Sequence, residues 1–215
     1  MHEAVLEKLW HLQGADQVFD VYALLDGARD PRIVPMIQSS GLFHRCLYSG
    51  PLPEDFLRVS PHLVLLSPRA AFTRDLLEQG WGKSWGVFLR SVADLEELHQ
   101  HFRKFLQVQD EAGKSFFFRF FDPRVLGTFL PTCTASQLVE FFGPVRRFLV
   151  ESAGGSLLED FYVVLDGLER RQHLIPSAPP EKGEEAAGGR GDGGRGGGGP
   201  SAAAAAPAPP KEAGP

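Results

Sequence analysis

The sequence predicts a mixed α/β (α+β) fold: one central mixed sheet with flanking helices, a helical C-terminal part, and then a disordered tail. Three observations lead there. Of 215 residues, 43% are hydrophobic and 17 are Phe, enough apolar material for a core. Strand-like and helix-like stretches interleave over residues 1–176. From 177 to 215 there is no Phe, Trp, Tyr, Leu, Ile or Val, so that segment cannot bury enough apolar surface to offset its chain entropy.

The elements follow in order. Residues 3–12 place Val5, Leu6, Leu9, Trp10 and Leu12 at helical spacing, closed by Gly14. Residues 17–26, QVFDVYALLD, are rich in β-branched and aromatic side chains and read as a strand. A short helix follows, with Asp30 as its N-cap and Pro31 in its first turn. HRCLYSG (44–50) is a second strand, PEDFLRV (53–59) a helical turn, and HLVLLS (62–67) a third strand, apolar on both faces and therefore central. A helix opens at Ser67-Pro68 and runs to Gln79, and VFLRS (87–91) is a strand.

Residues 91–106 form the clearest helix, capped by Ser91 with Asp94 three positions on. A hairpin is expected around residues 110–114, with Gly113 supplying the turn. Thr134 and Gln137 make a capping box for ASQLVEFFG, Pro144 starts a further helical stretch to Ser152, and residues 158–167 form a last strand.

Charge and targeting signals narrow the class. The chain holds 22 basic and 27 acidic residues; without the tail's four and five, the first 176 residues carry 18 against 22, a net charge of −4. A mildly acidic domain is a poor general binder of nucleic acid backbones. The Arg190-Gly191 and Arg195-Gly196 pairs resemble RNA-contacting tails, but the tail is not basic, and a solvated linker is the simpler reading. MHEAVLEKLWHLQG lacks the basic start and apolar run of a signal peptide, and no stretch is long enough to span a membrane. Cys46 and Cys133, in apolar surroundings without CxxC spacing, read as buried thiols. A soluble, cytoplasmic protein is expected.

GWGKSWG (80–86) raises the question of chemistry. It ends like a phosphate-binding loop, but position 77, where the first glycine belongs, is Leu77. GKSWG also matches the G-x-S-x-G of a nucleophile elbow, with Ser84 as nucleophile, His99, His101 or His173 as base, and Asp122 or Asp166 as acid. Both motifs need a strand before and a helix after, whereas here a helix precedes and a strand follows. A serine hydrolase using Ser84 stays as the alternative function. The histidines show no metal-ligand spacing, and no metal, cofactor or catalytic residue is expected.

Two further features concern surfaces and ion pairs. Strand, Asp-Pro-Arg, then helix occurs twice, at Asp30-Pro31-Arg32 and Asp122-Pro123-Arg124. The repeat reads either as two similar capped turns or as an ion network of Arg32, Arg119 and Arg124 with Asp26, Asp30 and Asp122. FFFRFF (116–121) is greasy on both faces, as a central strand is, or else an aromatic patch for a partner. Phe117 and Phe118 there, with Phe141, Phe142 and Phe148 downstream, which either cover a core or bind a client helix, are the candidate partner-binding residues.

Together YALLDGARDPRI, CLYSG, PHLVLLSP, FTRDLLEQGWGKSWGVFLRS, LEELHQHFRKFLQV and FRFFDPRVLGTFLPTCTASQLVEFFGPV resemble the adaptor/chaperone family of bacterial type VI secretion systems, a family first known as a domain of unknown function. The resemblance covers residues 18–145 and makes residues 1–176 an adaptor/chaperone domain. It implies a non-catalytic cytoplasmic protein that binds a cognate secreted effector and helps load it onto the VgrG/PAAR spike, with no nucleic acid or membrane partner. The matching positions are Asp26, Arg29, Asp30, Pro31, Arg32, Trp81, Gly82, Ser84, Trp85, Gly86, Arg90, Arg119, Asp122, Pro123 and Arg124, most of them expected to be scaffold.

Overall fold

Antiparallel pairing organises the chain. The computed structural model describes residues 2–10, 19–48, 50–109, 113–165 and 167–176. The expected tail, the start of the first predicted strand at 17–18, the hairpin turn at 110–112, His11 and Asp166 lie outside these residues. The described residues form seven α-helices and nine strands: α1 (His2–Trp10), β1 (Asp20–Asp26), α2 (Ile33–Ser39), β2 (His44–Cys46), α3 (Glu54–Arg58), β3 (Pro61–Leu65), α4 (Ala71–Gly80), β4 (Gly86–Ser91), α5 (Leu95–Arg103), β5 (Gln107–Gln109), β6 (Ser115–Phe117), α6 (Pro123–Phe129), α7 (Ala135–Phe142), β7 (Val145–Ser152), β8 (Leu157–Val164) and β9 (Gly167–Leu174). None of these helices is long and apolar enough to cross a membrane.

Seven strands make one sheet in the order β2-β3-β1-β4-β7-β8-β9, and β5 and β6 pair separately. The mixed α/β class is as the sequence predicts. Within the sheet every pairing is antiparallel, where a mixed sheet was expected. Alternation along β1 explains the layers. Val21, Ala23 and Leu25 join a core with residues of α1, α2 and α4, while Tyr22 and Leu24 join a second core with residues of α5, α6 and α7. Side chains of a strand point alternately to opposite faces, so a sheet covered on both sides has continuously buried strands, as β1 and β4 are.

That rule corrects the expected helical C-terminal part. α7 stops at Gly143, whose φ is 47°, and residues 145–152 are the inner strand β7 between β4 and β8. Burial on both faces erased the polar alternation that marks a half-exposed strand, and Pro144 imitated a helix start. FFFRFF is likewise not a central strand: Phe116 and Phe117 end β6 of the small sheet, and residues 118–121 run on as irregular chain. The capping expectations shift as well. Asp94, not Ser91, caps α5, accepting the Glu97 N–H at 2.8 Å. The Thr134–Gln137 capping box forms on α7. Asp30 does not cap a helix; it accepts the Arg32 N–H in a turn, and α2 starts at Ile33. Cys46 and Cys133 are free thiols, half-buried rather than fully buried.

Candidate functional site: an arginine–carboxylate cluster on the GWGKSWG turn

Most of the signature residues meet where β1 ends and β4 begins. Asp26, the last residue of β1, is 1% exposed. Its carboxylate accepts the Ala28 N–H at 3.1 Å and is ion-paired with Arg119. Its own N–H donates to the Trp85 carbonyl at 2.8 Å. Residues 93 apart in sequence are thereby tied together at a strand end.

The two Asp-Pro-Arg segments adopt one geometry. Asp30 accepts the Arg32 N–H at 3.0 Å and holds its guanidinium at 2.8 and 2.7 Å. Asp122 does the same for Arg124, at 3.0, 2.9 and 2.5 Å. In each case the carboxylate and guanidinium planes meet as a fork, the strong bidentate arrangement. Asp122 also caps α6, with Pro123 in the first turn. The Arg32 fork holds the Asp30 carboxyl down to about 2. Burial pushes the Asp122 carboxyl up, but the Arg124 side chain and N–H outweigh it and leave it below the ordinary range. The repeat is therefore a pair of like turns, and the expected ion network resolves into three separate pairs, Arg32–Asp30, Arg124–Asp122 and Arg119–Asp26, of which the last alone crosses between elements.

The turn itself is held from inside. Between α4 and β4, Gly82 and Ser84 both have positive φ, 83° and 57°. Such a turn aims successive N–H groups at one point, a nest that takes an anion. The anion is Glu151 of β7, which accepts the N–H of Gly82 at 2.6 Å and of Ser84 at 2.5 Å. Burial pushes the Glu151 carboxyl up, and the two N–H groups oppose that shift. Arg29 reaches over the outside, donating to the Ser84 and Lys83 carbonyls, both at 3.2 Å. Trp81 donates to the Gly155 carbonyl at 2.7 Å, and Trp85 lies under the Arg32 guanidinium, 5.2 Å from its ring centroid. Gly86 is needed for close approach, since a Cβ there would stand 2.1 Å from the Leu24 carbonyl oxygen.

The geometry sets what this region can do. Asp26, Asp122 and Glu151 are buried, whereas Arg29, Arg32, Arg119 and Arg124 keep exposed edges. Buried carboxylates are thus held by backbone N–H groups or by arginines that reach solvent. The histidines weighed as bases for Ser84 are engaged elsewhere. His99 bonds to the Cys46 carbonyl and His101 to the Phe141 carbonyl, both at 2.9 Å, and His173 stands 4.0 Å from Asp160. The signature residue Arg90 lies apart, buried in β4 and donating to the Lys8 carbonyl near the end of α1.

The candidate partner-binding residues separate into two groups. Phe117 is 65% exposed, and Phe118 is half-buried, its ring 4.6 Å from that of Phe129. Phe141, Phe142 and Phe148 are interior: they pack on one another and on Phe102 and Phe120 in the core beneath α5 and α7. They therefore offer no free surface to a partner, because their apolar excess fills a sheet–helix interface.

Two features escaped the sequence. Glu151 stands in a stretch that reads as helix, and a carboxylate whose partners are backbone N–H groups leaves no residue pattern. The second is an open groove of about 610 Å³ bounded by Tyr48, Phe56, Phe117 and the end of α5. The sequence marks Phe117 within FFFRFF, but nothing in it brings Phe117 together with Tyr48 and Phe56.

Fold and site together define a three-layer mixed α/β protein whose signature residues build a fixed ion-paired surface. The chain belongs to the family described as Domain of unknown function (DUF4123), which matches residues 21–140. Glu151, which clamps the family's turn, lies beyond the matched stretch. Comparison with curated proteins and with solved structures returned no match.

Proposed function

We propose that the chain is a non-catalytic adaptor or chaperone of type VI secretion, acting in the cytoplasm to bind a secreted effector and help load it onto the VgrG/PAAR spike. The observation that carries this reading is where the signature residues go. Most of those shared with the adaptor family, Arg90 apart, go to the hydrogen-bonded turn and to ion pairs whose arginine edges face outward, an arrangement suited to holding another protein. Membership of the matched family supports it. The resemblance stated from the sequence names the partners. Ser84, with its N–H fastened to Glu151 and a helix before it in place of a strand, is a turn residue in this reading, which disfavours the hydrolase alternative.

Co-expression with the products of the adjacent open reading frames tests the proposal. A neighbouring effector should co-elute with this chain on size exclusion and stay soluble because of it. Separate elution of every neighbouring product, at concentrations above about 10 μM, where a specific adaptor complex is populated, argues against it.

A further inference from the structure

β9 closes one end of the seven-stranded sheet, and among the described residues its outer side pairs with nothing. The strand at the other end, β2, is only three residues long, and shortness is one way an edge is kept from recruiting a further strand. β9 runs for eight residues and pairs with β8 in unbroken register. It holds no Pro, no Lys and no bulge, so the usual guards of a long edge are missing.

The outward backbone groups can be assigned. The Ile175 N–H donates to the Ser156 carbonyl at 2.9 Å, so residue 175 faces inward to the chain entering β8. Backbone groups of successive residues point to alternate sides of a strand. Leu168, Arg170, Gln172 and Leu174 therefore present their N–H and C=O groups outward. The long side chains at the middle of β9 lean the other way, over β8. Arg170 is ion-paired with Glu159 and lies 5.8 Å from the Phe161 ring centroid. Gln172 donates to Glu159 at 3.2 Å, and Arg171 lies 5.2 Å from the Tyr162 ring centroid. The charges that would repel an incoming strand are thus drawn back from the edge.

We infer that a second copy of this chain adds its own β9 to this edge, antiparallel and about a two-fold axis, so that two seven-stranded sheets join into one. The inference goes beyond the adaptor reading and does not rest on it. β9 is its own complement. With Leu168 opposite Leu174 of the second copy and Arg170 opposite Gln172, every outward residue meets another outward residue, identically in both copies. Leu174, 83% exposed, then lies against Leu168, which already packs on the core. A shift of two residues leaves Leu174 opposite Arg170 or past the strand end, so the leucines set the register. On the other face the two Arg171 side chains approach, each already turned over its own Tyr162. A strand of another protein could use the same backbone groups, but the leucine spacing of β9 matches β9 itself. The chain's tail is a poor occupant, since residues 177–215 hold no Val, Ile, Leu or aromatic residue, the side chains that favour a strand.

Sedimentation equilibrium of the full chain from about 1 to about 100 μM tests this. The mass should rise from 23.6 kDa toward twice that value. Gln172→Pro removes an outward N–H and leaves the inward bonds to β8, and Leu174→Lys puts a charge on the apolar contact. Each should weaken dimerisation at least about tenfold. Both positions are exposed, and circular dichroism with a cooperative melt checks that the variants fold. Should Gln172→Pro not fold, Leu174→Lys decides alone. Phe43→Lys removes a ring that is 76% exposed beside the other edge strand, and should dimerise like wild type. A monomer at every concentration, which would leave the edge to a strand of another protein, overturns the inference. So does a dimer retained undiminished by either folded edge variant, or one lost in folded Phe43→Lys.

Discussion

The Glu151 carboxylate accepts the backbone N–H of Ser84 at 2.5 Å and that of Gly82 at 2.6 Å, filling the anion nest of the GWGKSWG turn from within the molecule. The resemblance of Gly82-Lys83-Ser84 to a phosphate-binding loop thus has a physical basis, two N–H groups converging on one point. The point is occupied by the protein's own carboxylate.

Glu151→Ala strips both N–H groups of their buried acceptor. A lost acceptor of this kind costs about 1–3 kcal/mol, and urea unfolding at neutral pH should show a drop in that range or above. Glu151→Gln keeps one carbonyl oxygen and should cost less. Equal stability of wild type and Glu151→Ala would mean that the clamp contributes nothing.

Arg119→Ala should destabilise more than Arg124→Ala. Arg119 joins Asp26 across 93 residues of chain, whereas Arg124 closes a local turn onto Asp122, which keeps the backbone N–H of residue 124 in the variant. With Arg119 half-exposed and partly screened, the expected loss is about 1–2 kcal/mol. Chemical denaturation of the two variants side by side checks the order.

The pH dependence of the Asp122 fork follows from its sign. Its carboxyl is held below the ordinary range in the folded protein, so it contributes stability above its unfolded pKa of about 4 that is lost as pH falls through the lower folded value. Asp122→Asn should therefore be less stable than wild type at pH 6, and the difference should shrink on acidification to about pH 2. A gap that widens in acid would contradict the assignment.

Gly82→Ala should destabilise more than Gly41→Ala. Both glycines have positive φ, 83° and 69°, but a Cβ on Gly82 would stand 2.7 Å from the Gly154 carbonyl oxygen while one on Gly41 meets nothing within 4 Å. Backbone strain alone costs about 1 kcal/mol, and the clash adds to it. Thermal melts of the two variants give the comparison.

What the sequence made legible depended on how local the cause was. Asp-Pro-Arg turns, the Thr134–Gln137 box and the helix-then-strand order around GWGKSWG are fixed within a few residues, so pattern reading reached them. β7 was misread because an inner strand, buried on both faces, loses the alternation that distinguishes strand from helix. Phe141, Phe142 and Phe148 read equally as core or as a surface, because apolar excess looks the same whether it fills a core or waits for a partner. Glu151 and the Tyr48–Phe56–Phe117 groove come from chain segments far apart in sequence, and no local pattern records such meetings.

The central claim, that the chain works by holding a secreted protein without doing chemistry on it, is tested most directly in the native host. Secretion of the effector proposed as its partner would be measured in a strain lacking this chain and in the same strain complemented with wild type or Ser84→Ala. The account predicts that secretion is lost on deletion and restored equally by both. Intact secretion after deletion, or failure of Ser84→Ala to restore it while still folding, would contradict the account.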